Sequence, residues 1–393
     1  MRALTWRGQH DVRVEDHPDP QIQEPTDAII RVTSSAICGS DLHLYDFLGP
    51  FIDDGSILGH EPMGIVEEVG SEVSHIKRGD RVVIPFNISC GHCFMCRNGL
   101  FAQCETTQQT ENGTGAALFG YTRLYGSVPG GQAEYLRVPQ AHFGPIPVPE
   151  GPPDDRFLFL SDVLPTAWQA VAYAEIPQGG TVAVLGLGPI GQMSARIARH
   201  HGARVIAVDM VPERLEMARR HGIEVIDRNE VDDLGDAIRD MTQGRGPDSV
   251  IDAVGMEAEG SPGAHLAQRM TRFLPDAAAA PLMERAGIDR LAALKDAFDI
   301  VRRGGTVSII GVYVGSQDPL PMMQLFDKGV QLRMGQAHVK RWIDDLMPLL
   351  TDDSDPLGTE DLTTHRLSLD EAPRGYEMFQ KKQDGAIKVV LQA

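Results

Sequence analysis

The five cysteines carry the most specific chemistry in this sequence. Four lie close together, at Cys90, Cys93, Cys96 and Cys104, and Cys38 stands apart from them. Four thiolates at this spacing can close a tetrahedral zinc shell with no open position, as structural zinc sites do. An iron–sulfur cluster takes the same donors and is the competing interpretation. An odd, clustered set does not fit a disulfide framework, so we predict metal chemistry in a reducing compartment.

A second metal site is indicated by Cys38, in SAICGSDLHLYDF, together with His60, in ILGHEPMG. One thiolate and one imidazole are two of the three protein ligands that a catalytic zinc needs beside its open position. Isolated Cys and His residues more often belong to the core or the surface of a protein. The spacing alone does not name the third ligand.

A glycine-rich turn, GLGPIG, follows the apolar run TVAVL and precedes a helical pattern. A second strand then ends at Asp209, 18 residues after Gly191, which completes the context that a dinucleotide site requires. Glycines let backbone amides approach a pyrophosphate, and the carboxylate can accept hydrogen bonds from a ribose. A 2′-phosphate would face this carboxylate, so NAD is favoured over NADP. We assign to the cofactor Gly186, Gly188, Pro189, Ile190, Gly191, Asp209 and Arg214, and for Arg214 an exposed helix position is the alternative.

The elements that must position these residues fall into two groups. Up to about residue 140, short β-branched runs such as DAIIRVTSS and DRVVIPF are broken by Gly and Pro, which indicates a β-rich, barrel-like domain. Residues 143–156 contain five prolines and are predicted to be a connecting segment. From TVAVLG onward, apolar strands alternate with helical patterns, as in a parallel sheet covered on both faces.

Length and composition limit the function classes. With 393 residues, the chain is too long for one compact core, so two domains are expected. The formal net charge of −19 argues against a nucleic-acid or anionic-membrane surface. No apolar stretch reaches the ~20 residues of a membrane-spanning helix, and the first residues lack a secretory pattern. We therefore expect a cytoplasmic protein without nucleic-acid or membrane partners.

The order of several motifs resembles the medium-chain zinc-dependent alcohol dehydrogenases. These motifs are CGSDLH, GHEPMGIVEEVG, GDRVV, the four-cysteine loop and GLGPIG. GGQAEYLRVP and SDVLPTAWQA are similar to the branch that contains the glutathione-independent formaldehyde dehydrogenases. The resemblance implies an α/β fold with a GroES-like, β-rich catalytic domain at 1–162 and 337–393 and a Rossmann NAD-binding domain at 163–336. It also implies a homotetramer, with a homodimer as the alternative.

The same resemblance supplies a third ligand for the catalytic zinc. It implies that Asp162 joins Cys38 and His60, at a position where many relatives have a cysteine. A thiolate, a carboxylate and a neutral imidazole would balance the charge of Zn²⁺. From the residues alone, Asp162 is more simply a turn or helix-cap residue before LPTAW.

Further site residues are implied by their match to family positions. Ser40 and His43 match the hydroxyl and the imidazole of a proton relay. Asp41 is a candidate carboxylate partner of His60, and Glu61 a candidate transient metal ligand. The additional cofactor positions are Gly39, Ser40, His43, Thr166, Val254 and Gly311.

The leading hypothesis is an NAD-dependent zinc alcohol dehydrogenase with two zinc ions per chain, acting on a small alcohol or aldehyde. Aldehyde or formaldehyde dehydrogenase activity falls within this class. Two alternatives stay open: a formaldehyde or aldehyde dismutase that keeps its NAD bound, and a non-catalytic NAD-binding sensor. Formaldehyde-dismutating relatives carry a segment over the adenine near residues 255–300. This stretch differs here in sequence, and we expect a surface helical excursion.

Overall fold

The structure is a computed structural model that describes residues 1–255, 291–313 and 320–393. It divides into two compact units. The first unit comprises Met1–Thr166 and Ala337–Ala393, and the second unit comprises Ala167–Gln336. The chain therefore leaves the first unit and later returns to it. The corresponding boundaries predicted from the sequence lie after residues 162 and 336.

The described residues form strands and helices in the following chain order. The strands are β1 (Arg2–Gly8), β2 (Asp11–Asp16), β3 (Ala28–Ile37), β4 (Glu61–Val69), β5 (Arg81–Val83), β6 (Tyr135–Val138), β7 (Ile146–Pro147), β8 (Thr181–Leu185), β9 (Arg204–Asp209), β10 (Glu224–Asp227), β11 (Ser249–Asp252), β12 (Thr306–Ile309), β13 (Gln331–Met334), β14 (His365–Ser368) and β15 (Val389–Gln392). The helices are α1 (Gly39–Asp46), α2 (Phe94–Arg97), α3 (Asp154–Phe157), α4 (Val163–Ala174), α5 (Pro189–His200), α6 (Pro212–Arg220), α7 (Leu234–Met241), α8 (Ala292–Ile300), α9 (Met322–Lys328), α10 (Ile343–Leu350) and α11 (Ala372–Gln380). Among these helices, none has both the length and the apolar character needed to cross a membrane.

The first unit is built around the long strand β3. Its sheet has the order β14-β15-β3-β4-β5-β7, with β6 also paired to β3, while β1 and β2 form a separate antiparallel pair. Strand β15, from the returning part of the chain, is antiparallel to β3. Buried residues such as Ile30, Val66 and Val82 form the core of this unit. The β-rich domain predicted from the sequence is confirmed.

The proline-rich stretch 143–156 lies inside the first unit and does not connect the two units. Its first part forms β7 against β5, and its last residues begin α3. The Asp154 carboxylate accepts hydrogen bonds from the hydroxyls of Thr33 and Ser34 and from the guanidinium of Arg81. The prediction of a connecting segment is therefore wrong. Proline disfavours a helix interior, but it permits a short edge strand and leaves neighbouring side chains free to pair.

The second unit contains a six-stranded parallel sheet with the order β10-β9-β8-β11-β12-β13. The chain starts at β8, adds β9 and β10 on one side, and then continues with β11 on the other side of β8. This reversal places the topological switch point between β8 and β11, where open parallel sheets bind ligands. The predicted Rossmann unit is confirmed, and its central strands β8 and β11 are buried because a parallel sheet is covered on both faces.

The stretch 255–300 lies mostly outside the described residues. Its last part forms α8, whose residues Leu294, Ala297 and Phe298 are buried in the core of the second unit. Apolar residues at positions three and four apart give this helix a face that packs inward. For α8, the expectation of a surface excursion is wrong.

Candidate metal centres and dinucleotide site

The junction of β3 and α1 positions Cys38 and the residues that follow it. Cys38 is the N-cap of α1 with extended backbone angles, and its N–H donates to Asp41 Oδ2 over 2.9 Å. This contact closes the first helical turn and places the carboxylate near the positive end of the helix. Gly39 is the first residue of α1, and residues 41–45 are buried.

Four side chains that can bind a metal meet in the first unit. The donor atoms of Cys38, His60, Glu61 and Asp162 all lie within 4.8 Å of one another, and all four residues are buried. Cys38 Sγ is 3.8 Å from Asp162 Oδ2, and that oxygen is 3.4 Å from His60 Nε2. The structure therefore brings together the three predicted ligands and places Glu61 beside them.

A chain of hydrogen bonds orients the ring of His60. Its Nδ1–H donates to Asp41 Oδ1 over 3.0 Å. Gln132 Nε2 lies 3.4 Å from Asp41 Oδ2, and Gln132 Oε1 accepts from the Tyr376 hydroxyl over 2.8 Å. When the imidazole is neutral with its proton on Nδ1, Nε2 presents its lone pair to the centre, which is the tautomer a metal ligand needs. Sequence reasoning missed Gln132, although this residue lies inside the quoted GGQAEYLRVP motif.

Asp162 is positioned by the start of α4. Its backbone angles (φ −153°, ψ −66°) are not helical, and α4 begins at the next residue. The Thr166 hydroxyl donates to Asp162 Oδ1 over 2.6 Å. Because Oδ1 is satisfied in this way, Oδ2 is the oxygen that faces the other donors. Thr166, which the family resemblance assigns to the cofactor, thus also orients the predicted third ligand.

Negative charge dominates the electrostatics of this centre. Burial lowers the pKa of His60, but the carboxylates of Asp41 and Asp162 outweigh burial and raise that pKa well above its ordinary value. Burial and the charge of Glu61 raise the pKa of the Cys38 thiol. Burial also acts to raise the pKa of Asp162, but its contact with His60 outweighs this effect, so the pKa is lowered. A buried centre that favours positive charge and offers sulfur, nitrogen and oxygen donors fits zinc.

Glu61 has a cationic partner that sequence reasoning missed. Lys388 Nζ donates to Glu61 Oε1 over 2.7 Å, and both side chains are completely buried. Burial lowers the pKa of Lys388, but the Glu61 carboxylate outweighs burial and raises it. Among the described residues, Glu61 Oε2 has no hydrogen-bond partner. The available signal was a lysine inside the apolar run AIKVVLQA, because a buried cation requires an anion nearby.

The two predicted relay residues lie on α1 beside this centre. Ser40 Oγ is 3.2 Å from His60 Nε2. His43 is buried, and its ring centroid lies 5.1 Å from that of Phe47. Residues three apart share one face of a helix. The structure thus places a hydroxyl at the metal-facing nitrogen of His60 and an imidazole on the same face of α1.

The four-cysteine loop forms a second centre in the first unit. The sulfur atoms of Cys90, Cys93, Cys96 and Cys104 all lie within 4.8 Å of one another, and none forms a disulfide. Backbone N–H groups of His92 and Cys93 donate to Cys90 Sγ, and the N–H of Cys96 donates to Cys93 Sγ. Burial acts to raise the pKa of Cys93, but the hydrogen bond from Cys96 lowers it to about 6. The thiolate of Cys93 is thus stabilised, whereas burial raises the pKa of Cys96, and the four converging sulfur donors fit a closed metal shell.

The returning part of the chain supports the four-cysteine loop. Asn87 Nδ2 donates to the carbonyl of Ala337 over 2.7 Å, and the N–H of Ala102 donates to His338 Nδ1 over 3.1 Å. A ring nitrogen that accepts a hydrogen bond must be unprotonated. Burial accordingly lowers the pKa of His338 to about 4. His338 therefore holds the turn that leads into Cys104 only in its neutral form.

The glycine turn connects β8 to α5 in the second unit. Gly186 has a φ of +85°, and a Cβ at this position would lie 2.7 Å from Val254 Cγ2. A Cβ at Gly191 would lie 1.8 Å from the carbonyl oxygen of Gly186. Gly188 is the N-cap of α5, and Pro189 is its first residue, where a missing N–H costs nothing. Side chains are thus sterically excluded, and the first N–H groups of α5 are available to an anion such as a pyrophosphate.

Asp209 ends β9 beside this turn. Its Oδ2 accepts from the N–H of Leu187 over 2.6 Å and lies 3.7 Å from Arg214 Nη1. Its Oδ1 accepts from the N–H groups of Met210 and Val211. Arg214 is buried, although an exposed helix position was the alternative to a cofactor role. The acid therefore stands at the edge of the glycine turn, as a ribose-binding residue must.

The other predicted cofactor residues of the second unit lie at the same edge of its sheet. Ile190 is in the first turn of α5, while Val254 and Gly311 follow β11 and β12. A Cβ at Gly311 would lie 2.3 Å from the backbone nitrogen of Gly255, so these two loops pack backbone against backbone. The carboxyl edge of a parallel sheet is where such folds bind their ligands.

Comparison with known families gives two matches. The family described as "Alcohol dehydrogenase GroES-like domain" matches residues 24–148, which lie in the first unit. The family described as "Zinc-binding dehydrogenase" matches residues 189–267. Each of the two candidate-site regions thus has a counterpart in a known family.

Full-length relatives extend these matches. The chain is 43% identical over 395 residues to the uncharacterized zinc-type alcohol dehydrogenase-like protein AdhB of Bacillus subtilis, covering 100% of both chains. It is 32% identical to the glutathione-independent formaldehyde dehydrogenase of Pseudomonas aeruginosa, covering 96% of this chain and 94% of the relative. Among solved structures, the alcohol dehydrogenase TADH from Thermus sp. ATN1 has a TM-score of 0.81 and 35% identity, covering 100% of this chain and 99% of that chain.

Proposed function

The chain belongs to the medium-chain zinc-dependent alcohol dehydrogenases, and from this premise we propose that it transfers a hydride between a small alcohol or aldehyde and NAD(H). The observation that carries this proposal is that the donor atoms of Cys38, His60 and Asp162 lie close together in a buried site. Three protein ligands of mixed type leave a position open for a substrate oxygen. A non-catalytic NAD sensor, the alternative from another class, has no use for such a centre.

The catalytic zinc would be held by Cys38 Sγ, His60 Nε2 and Asp162 Oδ2. Asp41 and Thr166 fix the orientation of the imidazole and the carboxylate. When bound, zinc supplies a Lewis acid that polarises the substrate oxygen, and NAD⁺ supplies the hydride acceptor. The protein ligands contribute two negative charges, which balance the cation.

Ser40 and His43 carry the proton in this proposal. The Ser40 hydroxyl, 3.2 Å from His60 Nε2, takes the proton of an alcohol held at the centre. His43, on the same face of α1, delivers a proton to water, because an imidazole can both accept and donate a proton. Bound NAD⁺ would accept the hydride from the alcohol carbon and this relay would take the proton from its oxygen, so that a carbonyl group would be formed.

A second zinc is proposed at Cys90, Cys93, Cys96 and Cys104. Four sulfur donors leave no position for a substrate, so this ion would hold the loop and take no part in the chemistry. Metal analysis should find two zinc ions per chain. Iron together with visible absorbance would instead establish the iron–sulfur interpretation.

NAD is proposed as the cofactor in preference to NADP. The Asp209 carboxylate can accept hydrogen bonds from ribose hydroxyls, and it would repel a 2′-phosphate even though Arg214 lies beside it. We expect kcat/KM to be about tenfold or more higher with NAD⁺ than with NADP⁺. An Asp209→Gly substitution should narrow this ratio, and a wild-type preference for NADP⁺ would contradict the assignment.

We also propose a cytoplasmic homo-oligomer, a tetramer or else a dimer. Five cysteines without a disulfide fit a reducing compartment. Among the strands that the structure describes, β13 lies at the edge of its sheet, and large apolar side chains are exposed on it and on the nearby helix α9. They are Met322, Met323, Phe326, Leu332 and Met334. An open strand edge with an apolar patch favours burial against another chain, and light scattering of the purified protein measures the number of chains.

The experiment that tests the proposed function uses a panel of small alcohols and aldehydes, formaldehyde included, with and without added NAD⁺. Absorbance of NADH and product formation are followed together. Alcohol-dependent NADH formation only with added NAD⁺ supports the dehydrogenase. Aldehyde conversion without added cofactor, by a protein that carries nucleotide absorbance as purified, would establish the dismutase. No conversion by a protein shown to bind zinc and NADH would contradict the enzymatic proposal and favour the sensor.

A further inference from the structure

One buried carboxylate outside the proposed mechanism joins the loops that follow β11 and β12. Asp252, the last residue of β11, is completely buried. Its Oδ1 accepts from the N–H of Val254 over 3.0 Å and from the N–H of Gly255 over 3.3 Å. Its Oδ2 accepts from the Tyr313 hydroxyl over 2.5 Å. One side chain therefore holds the first loop by its backbone and the second loop by a tyrosine.

The backbone of Asp252 strengthens the same connection. Its carbonyl oxygen accepts from the N–H groups of Ile310 and Gly311, over 3.0 Å and 2.9 Å. A Cβ at Gly255 would lie 2.6 Å from the backbone nitrogen of Val312, so the two loops are in direct backbone contact. At this packing density, a shift of one loop must displace the other.

The first of these loops also contacts the glycine turn. The N–H of Ala253 donates to the carbonyl of Leu185, the last residue of β8, over 2.9 Å. A Cβ atom at Gly186 would lie only 2.7 Å from Val254 Cγ2. Because the switch point of the sheet lies between β8 and β11, residues 253–255 border the crevice that begins at the glycine turn.

We propose that Tyr313 is a positioning residue for the dinucleotide: its hydrogen bond to Asp252 holds residues 253–255 and 310–313 in the conformation that retains NAD(H). The inference rests on the proposed function in that it requires NAD(H) at the glycine turn. Without the tyrosine hydroxyl, a buried acceptor oxygen of Asp252 loses its donor, and the loops must rearrange or admit water. Tyr313 then influences how long the cofactor stays bound, which is the property that separates a dehydrogenase from a dismutase with retained NAD.

The test compares Tyr313→Phe with the wild type in the full-length, zinc-loaded protein. The substitution removes the hydroxyl but keeps the ring, which packs against the core of the second unit. NADH affinity is measured by fluorescence titration, and NADH release by stopped-flow displacement. We expect Kd and the release rate to rise about threefold to tenfold, with unchanged zinc content. Tyr173→Phe, which removes another half-buried tyrosine hydroxyl in the same unit, should leave both values unchanged.

Two further results bear on the inference. Asp252→Ala should accelerate NADH release at least as much as Tyr313→Phe, because it removes the acceptors of both loops. If Tyr313→Phe binds and releases NADH like the wild type while its melting temperature falls, Tyr313 has only a structural role and the inference is wrong. If the wild type binds no NADH at all, the proposed function fails, and this inference fails with it.

Discussion

The two candidate metal centres of the first unit are built in opposite ways. The four-cysteine loop takes every donor from residues 90–104 and uses only sulfur. The other centre joins Cys38 at the start of α1 to Asp162, 124 residues later, and mixes sulfur, nitrogen and oxygen. A closed structural site can thus be a local structure. A site with an open position and with sulfur, nitrogen and oxygen donors takes its ligands from distant segments, so the tertiary fold must assemble it.

The two centres also compensate charge differently. In the four-cysteine loop, sulfur atoms accept hydrogen bonds from backbone N–H groups such as those of Cys93 and Cys96. At the centre formed by Cys38, His60 and Asp162 (the mixed centre), side chains compensate the charge. Asp41 accepts a hydrogen bond from His60, and Lys388 forms an ion pair with Glu61. Apart from a change to proline, a substitution leaves the backbone N–H group in place, but it can remove a side chain. The mixed centre should therefore respond more strongly to changes in residues that are not themselves metal ligands.

The largest effect is expected from removing a ligand of the mixed centre. Asp162→Ala should lower kcat about 10³-fold or more, because the site loses the donor that completes its metal shell. Zinc content should fall from two ions to one per chain while circular dichroism stays unchanged. Asp353→Ala, at an exposed aspartate of the same unit, is the matched control and should keep full activity. Full activity in both Asp162→Ala and Cys38→Ala would overturn the ligand assignment.

Removing a ligand of the four-cysteine loop should affect stability more than chemistry. Cys104 is completely buried, and Cys104→Ser should lower the free energy of unfolding of the first unit by about 3 kcal/mol, roughly 10 °C in melting temperature. Calorimetry and metal analysis measure the two changes. Activity below the transition should largely remain. A variant with unchanged melting temperature and two zinc ions would show that the loop holds no metal.

The charge compensation of the mixed centre can be tested at Lys388. Lys388→Met would leave Glu61 buried without its cation and should cost about 3 kcal/mol in the free energy of unfolding, measured by urea denaturation. The double variant Lys388→Met/Glu61→Gln removes both charges and should recover most of that loss. Equal stability of the single variant and the wild type, or additive losses in the double variant, would mean that the pair does not act as a unit.

The smallest effect is a pH dependence of stability that originates at His338, beside the four-cysteine loop. The folded protein lowers the pKa of this imidazole from 6.5 to about 4, so between these values the unfolded chain binds more protons. Stability is therefore complete above about pH 6.5 and falls as the pH decreases toward 4. We expect this residue to contribute about 2 kcal/mol to the loss.

Calorimetry at pH 7 and pH 5 on the wild type and on His338→Asn isolates this contribution. Asparagine keeps an acceptor for the N–H of Ala102 but does not titrate in this range. The decrease in stability should therefore be smaller in His338→Asn than in the wild type. Identical decreases would show that His338 does not titrate as its buried position implies.

Predictions from the sequence were correct where the spacing of residues along the chain is enough to define a feature. The glycine turn predicted the dinucleotide unit, and the order of motifs predicted the fold and the family, all of which the structure and the comparisons confirm. Predictions failed where residue composition was used to infer the tertiary contacts of a segment. The prolines of 143–156 suggested a connection, yet Asp154 in this stretch is the ion-pair partner of the buried Arg81. The assignment of individual site residues stays a prediction until variants are measured.

By itself, the sequence determined the four-cysteine loop and the glycine turn. Residues only a few positions apart have few ways to arrange themselves, so their spacing is sufficient. From residues alone, Asp162 was a turn or helix-cap residue, and Lys388 received no assignment. Only the tertiary structure decided that Asp162 lies against Cys38 and His60, and that Lys388 lies against Glu61. The physical reason is that the partner and the burial of a charged group depend on which strands pair. Strand pairing joins segments that lie too far apart in the sequence for residue spacing to predict their contact.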